Sequence, residues 1–539
     1  MGLSFSATSY EAFASLSLPS SESALPRRFC VSSSGPKLSM MKRFSLTASS
    51  HLPAIASCTA SSAYCDRGLR CSLVSVFNEA RSYGRLRAEG DAEYTECPLR
   101  EGVSSSVPMR SWAAAGACAV VALSAGCAPT SQPAPAGKTL RIGVDLPLSG
   151  GESRAATPAL NGIRYFVQTH PTLDGFTIQL ETTDDAADPK RGVSNVNRFL
   201  TEAGVVAMIG PFDGPVARKE IPVANSAGLA MVSPATSNPC LTRDVYVPAP
   251  LNPARTAITC KQAGLPSASD LRPTHTVNFF RLTTTDDLQG AAAAEFAFGT
   301  LHVLRVGVIS DHEAYGQGLA SAFSARFSRL GGSAVGRLDT DPNAGAGIQP
   351  FLARMKDDGA QAIYYGGGSH AGCAIRAQMS PLFATGESTP FLGGDGIAHD
   401  PQCIAAAGTS AAGIYATVPI VDATSAPAAQ AAIAGFKTSF GSTSAYGPYT
   451  MVAYDATAVL YAALDRAIVA AGGGLPSRDQ VIAELARTSG LEGVTGRLGF
   501  DANGDTTNRV VSIFEAPAAG ARAPWKLAGT VDYSARLPY

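Results

Sequence analysis

Tyr364-Tyr365-Gly366-Gly367-Gly368-Ser369-His370 follows directly on Ala362-Ile363, and a glycine loop with a hydroxyl and an imidazole raises phosphate or metal chemistry first. A P-loop needs Lys-Ser/Thr after its glycines, and a dinucleotide loop needs G-x-G-x-x-G and a later ribose-reading acid; neither is present. His312-Glu313 has no second histidine four residues on, so the helical zinc-protease motif is absent. Asp501-Ala502-Asn503-Gly504-Asp505 opens like a calcium loop, but its glycine is misplaced and no Glu follows at the twelfth position; a hairpin turn is expected. His370 and His399 are single loop histidines, which favours solvated or capping roles. No Ser/His/Asp set emerges, and the sequence gives no reason to expect catalysis, a metal or a cofactor.

The elements that must hold this loop alternate. Apolar β-type runs (LRIGVDLPLSG, FTIQLETTDD, VVAMIGPF, LAMVSPAT) take turns with helical periods at 158–169, 191–202 and 216–227. The same rhythm restarts at VGVISDHEAYGQG and runs through QAIYYGGG and TPFLGGDG to AAGIYATVPI. Such alternation predicts an α/β fold of two Rossmann-like lobes, each with a parallel sheet covered on both faces. In open parallel sheets ligands sit beyond the carboxyl ends of the strands. Here those ends read PLSGGES, GPFDGP, VSPATSN, SDHEAYG, YYGGGSH and GGDGIAHD, polar loops suited to a cleft. The 539 residues exceed one domain, and 45% hydrophobic, 16% charged and net charge -1 describe a globular chain without the basic excess of a nucleic-acid binder.

The first 108 residues are Ser-rich and aperiodic and hold Cys30, Cys58, Cys65, Cys71 and Cys97 in no metal-binding spacing. From Met109 the chain reads MRSWAAAGACAVVALSAGC, which resembles a bacterial lipoprotein signal: one Arg, about a dozen apolar residues, and a lipobox ending in Cys127. The Cys127 thiol would take the lipid, and the Pro/Ser-rich stretch after it would be a tether. This reading makes 1–108 a non-native or disordered extension, 109–127 a signal peptide and 128–138 a tether.

From about Leu140 to Phe514 the chain resembles the type I periplasmic solute-binding proteins of the leucine/isoleucine/valine-binding family, the receptors of ABC importers. Ordered motifs carry the likeness: Gly143 to Gly151 with Asn161-Gly162, TTDDAADPKRGV, IGP, VSPATSNPCLT, SDHEAYGQGLA, YYGGG, FLGGDG, Gly447-Pro448-Tyr449 and GRLGFDANGD. The resemblance implies lobe I from 139–280 plus 421–496 and lobe II from 284–416 plus 500–539. Three strands would cross between them, near Arg281 to Thr284, Thr417 to Ile420, and Gly496 to Asp501. It also implies hinge closure on a small ligand.

The family's site residues carry over position by position. Ala235 and Ser237 match groups that hold the ligand's amino and carboxylate ends, Tyr315 matches a cleft tyrosine, and Asp395 matches the acid that pairs with the ammonium; helix capping or packing is the alternative for each. Two positions depart. Gly214 stands where amino-acid binders supply a serine hydroxyl, beside Asp213, and Gly368 stands where branched-chain binders place an aromatic wall. The expected ligand is therefore larger than leucine, or amide-like. Cys240 and Cys260 bracket a Pro-rich loop, and Cys373 and Cys403 follow neighbouring lobe II strands, so export permits two disulfides, with separate buried thiols as the alternative. The whole reads as a lipid-anchored bacterial extracytoplasmic receptor for an amino acid or amide, working with ABC permease subunits. A sensor of the same fold signalling to a membrane partner is the other reading.

Overall fold

The computed structural model describes residues 44–45, 57–58 and 138–538, with gaps at 253–254, 342–346, 384–388, 442–444, 519 and 521–523. The signal segment, Cys127 and the tether up to residue 137 lie outside the described residues, as does the side chain of His370. The chain divides into two units at Cys127/Ala128. Within the first, the described residues form an antiparallel pairing of Phe44–Ser45 with Ser57–Cys58.

In the second unit the first seven elements are β1 (Lys138–Leu146), α1 (Ser153–Thr169), β2 (Thr172–Leu173), β3 (Phe176–Asp184), α2 (Pro189–Thr201), β4 (Val205–Ile209) and α3 (Gly214–Ser226). Next come β5 (Ala230–Ser233), β6 (Phe279–Arg281) and α4 (Asp286–Glu295), then β7 (Arg305–Ser310), α5 (Ala314–Arg329), β8 (Ser333–Asp339) and α6 (Ile348–Asp357). Further on lie β9 (Ala362–Gly366), α7 (Ser369–Met379), β10 (Phe391–Gly393), α8 (Pro401–Ala407) and β11 (Ile414–Val418). The last elements are α9 (Gln430–Phe440), α10 (Thr450–Ala470), α11 (Arg478–Ala486), β12 (Val510–Glu515) and β13 (Lys526–Asp532).

These strands form two main sheets. One has the order β6-β5-β4-β1-β3-β2 and is parallel except at the β2–β3 edge. The other has the order β8-β7-β9-β10-β11-β12-β13, with the last two strands antiparallel. The central parallel strands are apolar runs because both faces are covered: β4 of the first sheet and β9 of the second are buried at every position.

Helix packing explains a motif that carries no chemistry. α1 crosses α10 so closely that a Cβ at Gly162 would stand 2.0 Å from the Thr450 carbonyl oxygen, while Asn161 donates to the Ala445 carbonyl. Asn161-Gly162 is therefore a helix-crossing signature. The large apolar core of the first sheet, including Leu140, Ile142, Val144, Ile163 and Leu460, closes around that contact.

The passages between the sheets lie side by side. The Thr284 amide donates to the Pro419 carbonyl, and the Arg281 amide to the Gly504 carbonyl. The third passage runs later than the sequence suggests, since Gly496–Leu498 pairs with Leu491–Gly493 and the chain joins the second sheet only at Val510. At their meeting point the fully buried Arg281 reaches Asp505 at 2.7 Å and the Asn238 carbonyl at 2.7 Å, and also bonds Thr242. Arg243 adds contacts to Asp287 at 2.8 Å and Asp505 at 3.4 Å. Burial opposes ionisation of Asp505, yet the two arginines hold its carboxyl below the ordinary range.

Candidate ligand-binding cleft

Asp395 begins the short turn that follows β10. Its carboxylate accepts from the Tyr315 hydroxyl at 2.6 Å, the Tyr449 hydroxyl at 2.6 Å and Gln289 Nε2 at 2.8 Å. The donors come from α5, from the residue before α10, and from α4. Burial pushes both phenols far above their usual range and Asp395 pushes them further, so they remain protonated donors. Tyr449 belongs to the chain that packs on the first sheet, Asp395 to the second. Arg154 on α1 meets Asp400 at 3.7 Å, a second link of the same kind.

Asp286, the first residue of α4, is 1% exposed, and neither of its oxygens has an aligned hydrogen-bond donor. Burial pushes its carboxyl up to about 7 and Asp395 adds to the effect, while the Ser237 hydroxyl and Arg281 oppose it. Its amide donates to the Ser237 carbonyl, which fastens α4 to the VSPATSN loop. Tyr364, from the strand before the glycine loop, stacks on Phe323 and presents a buried unpartnered hydroxyl that feels both Asp286 and Asp395. Glu152 is open to solvent yet feels Asp213 on one side and Asp395 and Asp400 on the other, as a residue inside a cleft does.

Ala235 and Ser237 are both buried. The Ala235 and Thr236 amides donate to the Ser233 hydroxyl at 3.3 and 3.0 Å, so these two amides are spent within the loop. Gly214 is the first residue of α3; Asp213 caps that helix by accepting from the Val216 amide, and burial raises its carboxyl. Gly368 is the cap residue of α7: its amide donates to Asp311 at 3.1 Å, and a Cβ there would meet nothing within 4 Å. The neighbouring Gly366 is a packing requirement, because a Cβ would stand 2.2 Å from the Gly316 carbonyl oxygen of α5. The glycine loop thus lets two elements approach and leaves open space at its tip.

The remaining sequence readings resolve simply. Cys240 is bridged to Cys260 and Cys373 to Cys403, with Cα separations of 5.7 and 5.0 Å. His399 packs on Phe514 and Trp525, and burial lowers its pKa to about 4. Asp501 accepts from the Asn503 and Asp505 amides and pairs with Arg509, which makes the calcium-like string a turn. Among the described residues no cluster of His, Cys, Asp or Glu is arranged to hold a metal. A crevice of about 200 Å³ lies at the passages, lined by Arg243, Thr284, Asn503 and Asp505, and contains none of the residues expected to bind ligand.

Sequence reading missed Asp286 and Gln289 and quoted Tyr449 only within a motif. The Thr-Thr-Thr-Asp-Asp string looks like ordinary acids in a first helical turn. Only the path of the chain between the sheets brings that turn against Asp395.

Two parallel α/β sheets bridged by adjacent passages, with polar strand-end loops converging on a buried carboxylate, define a two-lobed solute-binding protein of the type I periplasmic fold. The chain belongs to the periplasmic binding protein family, whose model matches residues 139–521. It is 26% identical to the Leu/Ile/Val-binding protein BraC3 of Rhizobium johnstonii over 379 residues, 70% of this chain and 91% of the relative. The Leu/Ile/Val-binding protein homolog 3 of Brucella melitensis is 28% identical, with the same coverage of 70% and 91%. Among solved structures, the leucine-binding protein LivK of Thermotoga maritima superposes with TM-score 0.57 at 24% identity, covering 73% of this chain and 99% of its own. LivJ of Streptococcus pneumoniae, solved with isoleucine, gives 0.56 at 20%, covering 73% and 100%. The family is one of solute-binding proteins and implies an extracytoplasmic location; no described helix is long and apolar enough to cross a membrane.

Proposed function

We propose that this chain is the lipid-anchored solute receptor of an ABC importer, tethered through Cys127, and that it closes on an amino acid or amide-like ligand between its lobes. The observation that carries the reading is Asp395, a buried carboxylate at a strand end that gathers donors from both sides of the cleft. Ala235, Ser237, Tyr315 and Asp395 are the proposed contacts, with Gly214 and Gly368 shaping the space. Relatives and neighbours named for leucine, isoleucine and valine support the amino-acid class. An ammonium would take the place of the Tyr449 donor on Asp395 or sit beside it, also facing Asp286.

A thermal-shift screen of the full-length chain against amino acids, amides, urea and small aromatic acids tests this. A ligand at about 100 times its dissociation constant adds roughly 2.7 kcal/mol of stability. Chemical alteration of the solute on incubation would contradict a receptor. Mass analysis of the membrane-bound N-terminus tests the anchor: a diacylated Cys127 is expected, and an intact Met1 would contradict it.

A further inference from the structure

Between β5 and β6, two neighbouring strands of the first sheet, the chain makes a long excursion through residues 239–252 and 255–271. Its two roots stay with the first sheet, where Leu241 and Leu271 pack with Met231 and Phe279. Its middle does not. There Val245–Val247 pairs with Ile258–Thr259, and the Cys240–Cys260 bridge ties that pairing back to the first root. Tyr246 and Leu251 join one buried apolar cluster with Ala291 of α4, Ala325 of α5 and Val511 of β12, all from the second lobe. The excursion is thus a strap laid along α5: Tyr246 reaches the helix's first residue, and the Pro250 carbonyl accepts from Arg329, its last.

The start of α5 carries Tyr315, a donor to Asp395, yet lacks the usual means of fixing a helix start. Its cap residue Glu313 makes no side-chain cap bond, and no acid follows in the first turn. Two glycines instead admit neighbours on nearly opposite faces. Gly316 meets Gly366 of the glycine loop on one face. On the other, a Cβ at Gly318 would stand 2.7 Å from the Tyr246 hydroxyl, which donates to the Ala314 carbonyl at 2.6 Å. One residue further, the Tyr315 hydroxyl donates to Asp395 at 2.6 Å and accepts from the Gly396 amide at 3.2 Å, bonds that a small shift of α5 would break.

We infer that Tyr246 is a positioning residue for the ligand cleft: from a strap rooted in the first lobe it clamps the start of α5, so that Tyr315 meets Asp395 before any solute arrives. It acts through Ala314 and Gly318. The inference rests on the cleft reading above and adds a residue that sets the geometry of the site from outside it.

Fluorine NMR of the ligand-free full-length chain labelled with 3-fluorotyrosine tests it, each signal being assigned by its loss in the matching Phe variant. One narrow Tyr315 signal is expected in the wild type. Tyr246→Phe keeps the ring and removes the bond, and should broaden or split the Tyr315 signal while that of Tyr461, on α10, stays unchanged. Gly318→Ala should do the same by pushing the ring off α5, and in a Tyr246→Leu background it should add nothing further. A Tyr315 signal unchanged in Tyr246→Phe would overturn the inference, and so would equal disturbance of Tyr315 and Tyr461, which is what general loosening produces. The thermal-shift screen applied to Tyr315→Phe separates the two levels. Unchanged shifts there would fail the cleft reading, while the hold of Tyr246 on Tyr315 is decided by the fluorine signal alone.

Discussion

The passages between the lobes and the cleft beneath them both bury charge, and they treat it in opposite ways. At the passages buried acids meet cations: Asp505 meets Arg281 and Arg243, and Asp287 meets Arg243. In the cleft Asp395 is satisfied by phenols and an amide, and Asp286 beside it makes no ion pair. A buried carboxylate without a cation costs free energy unless it protonates or a partner arrives. The first region is complete in itself and serves as the joint; the second keeps buried acids without a paired cation.

The largest expected effect breaks the joint. Arg281→Met takes the 2.7 Å partner from buried Asp505, leaving it Arg243 at 3.4 Å, and strips the Asn238 carbonyl of its Arg281 donor; a loss of about 3–5 kcal/mol is expected in chemical denaturation. Below that comes the Cys240–Cys260 bridge. Closing a loop of this length is worth on the order of 3 kcal/mol, so Cys240→Ser with Cys260→Ser should lower the midpoint without changing ligand preference. Equal midpoints in oxidised and reduced protein would contradict a stabilising role for the bridge.

Asp286→Asn sharpens the contrast through pH. The folded carboxyl sits at about 7 against an ordinary 3.8, so its protonated form is favoured by folding. The associated stability is present below about pH 4 and is lost as pH rises through 7, a difference on the order of 2–4 kcal/mol. The ligand-free variant should lose that slope, and wild type and variant with parallel stability–pH curves would contradict it. The smallest effect is at Tyr449→Phe. It removes one interlobe donor, and about 1 kcal/mol less preference for the closed form is expected, read as a larger radius of gyration in ligand-free scattering.

Much of the fold was legible because it depends on periodicity. Apolar runs of four or five residues between helical periods fix a parallel sheet, and the restart near Val306 fixes a second one. The third passage was misplaced by several residues, since a local β pairing at 491–498 and the tertiary bond at Gly504 decide where the chain crosses. Asp395 and Tyr315, singled out from motifs, do meet in the structure. The contacts of Asp286 and Gln289 were not readable, because nothing local distinguishes the two from ordinary residues in a first helical turn, and their neighbours lie tens or hundreds of residues away. The glycine loop was readable as a strand end, while the demand at Gly366 comes from α5.

The central claim is that Asp395 anchors a ligand between the lobes. It is tested most directly by the ligand-induced rise in thermal stability of the full-length chain, wild type against Asp395→Asn, with the tightest-binding solute of the screen at about 100 times its wild-type dissociation constant. Roughly 2.7 kcal/mol of stabilisation in wild type and almost none in the variant is the predicted result. The same stabilisation in both proteins would contradict it.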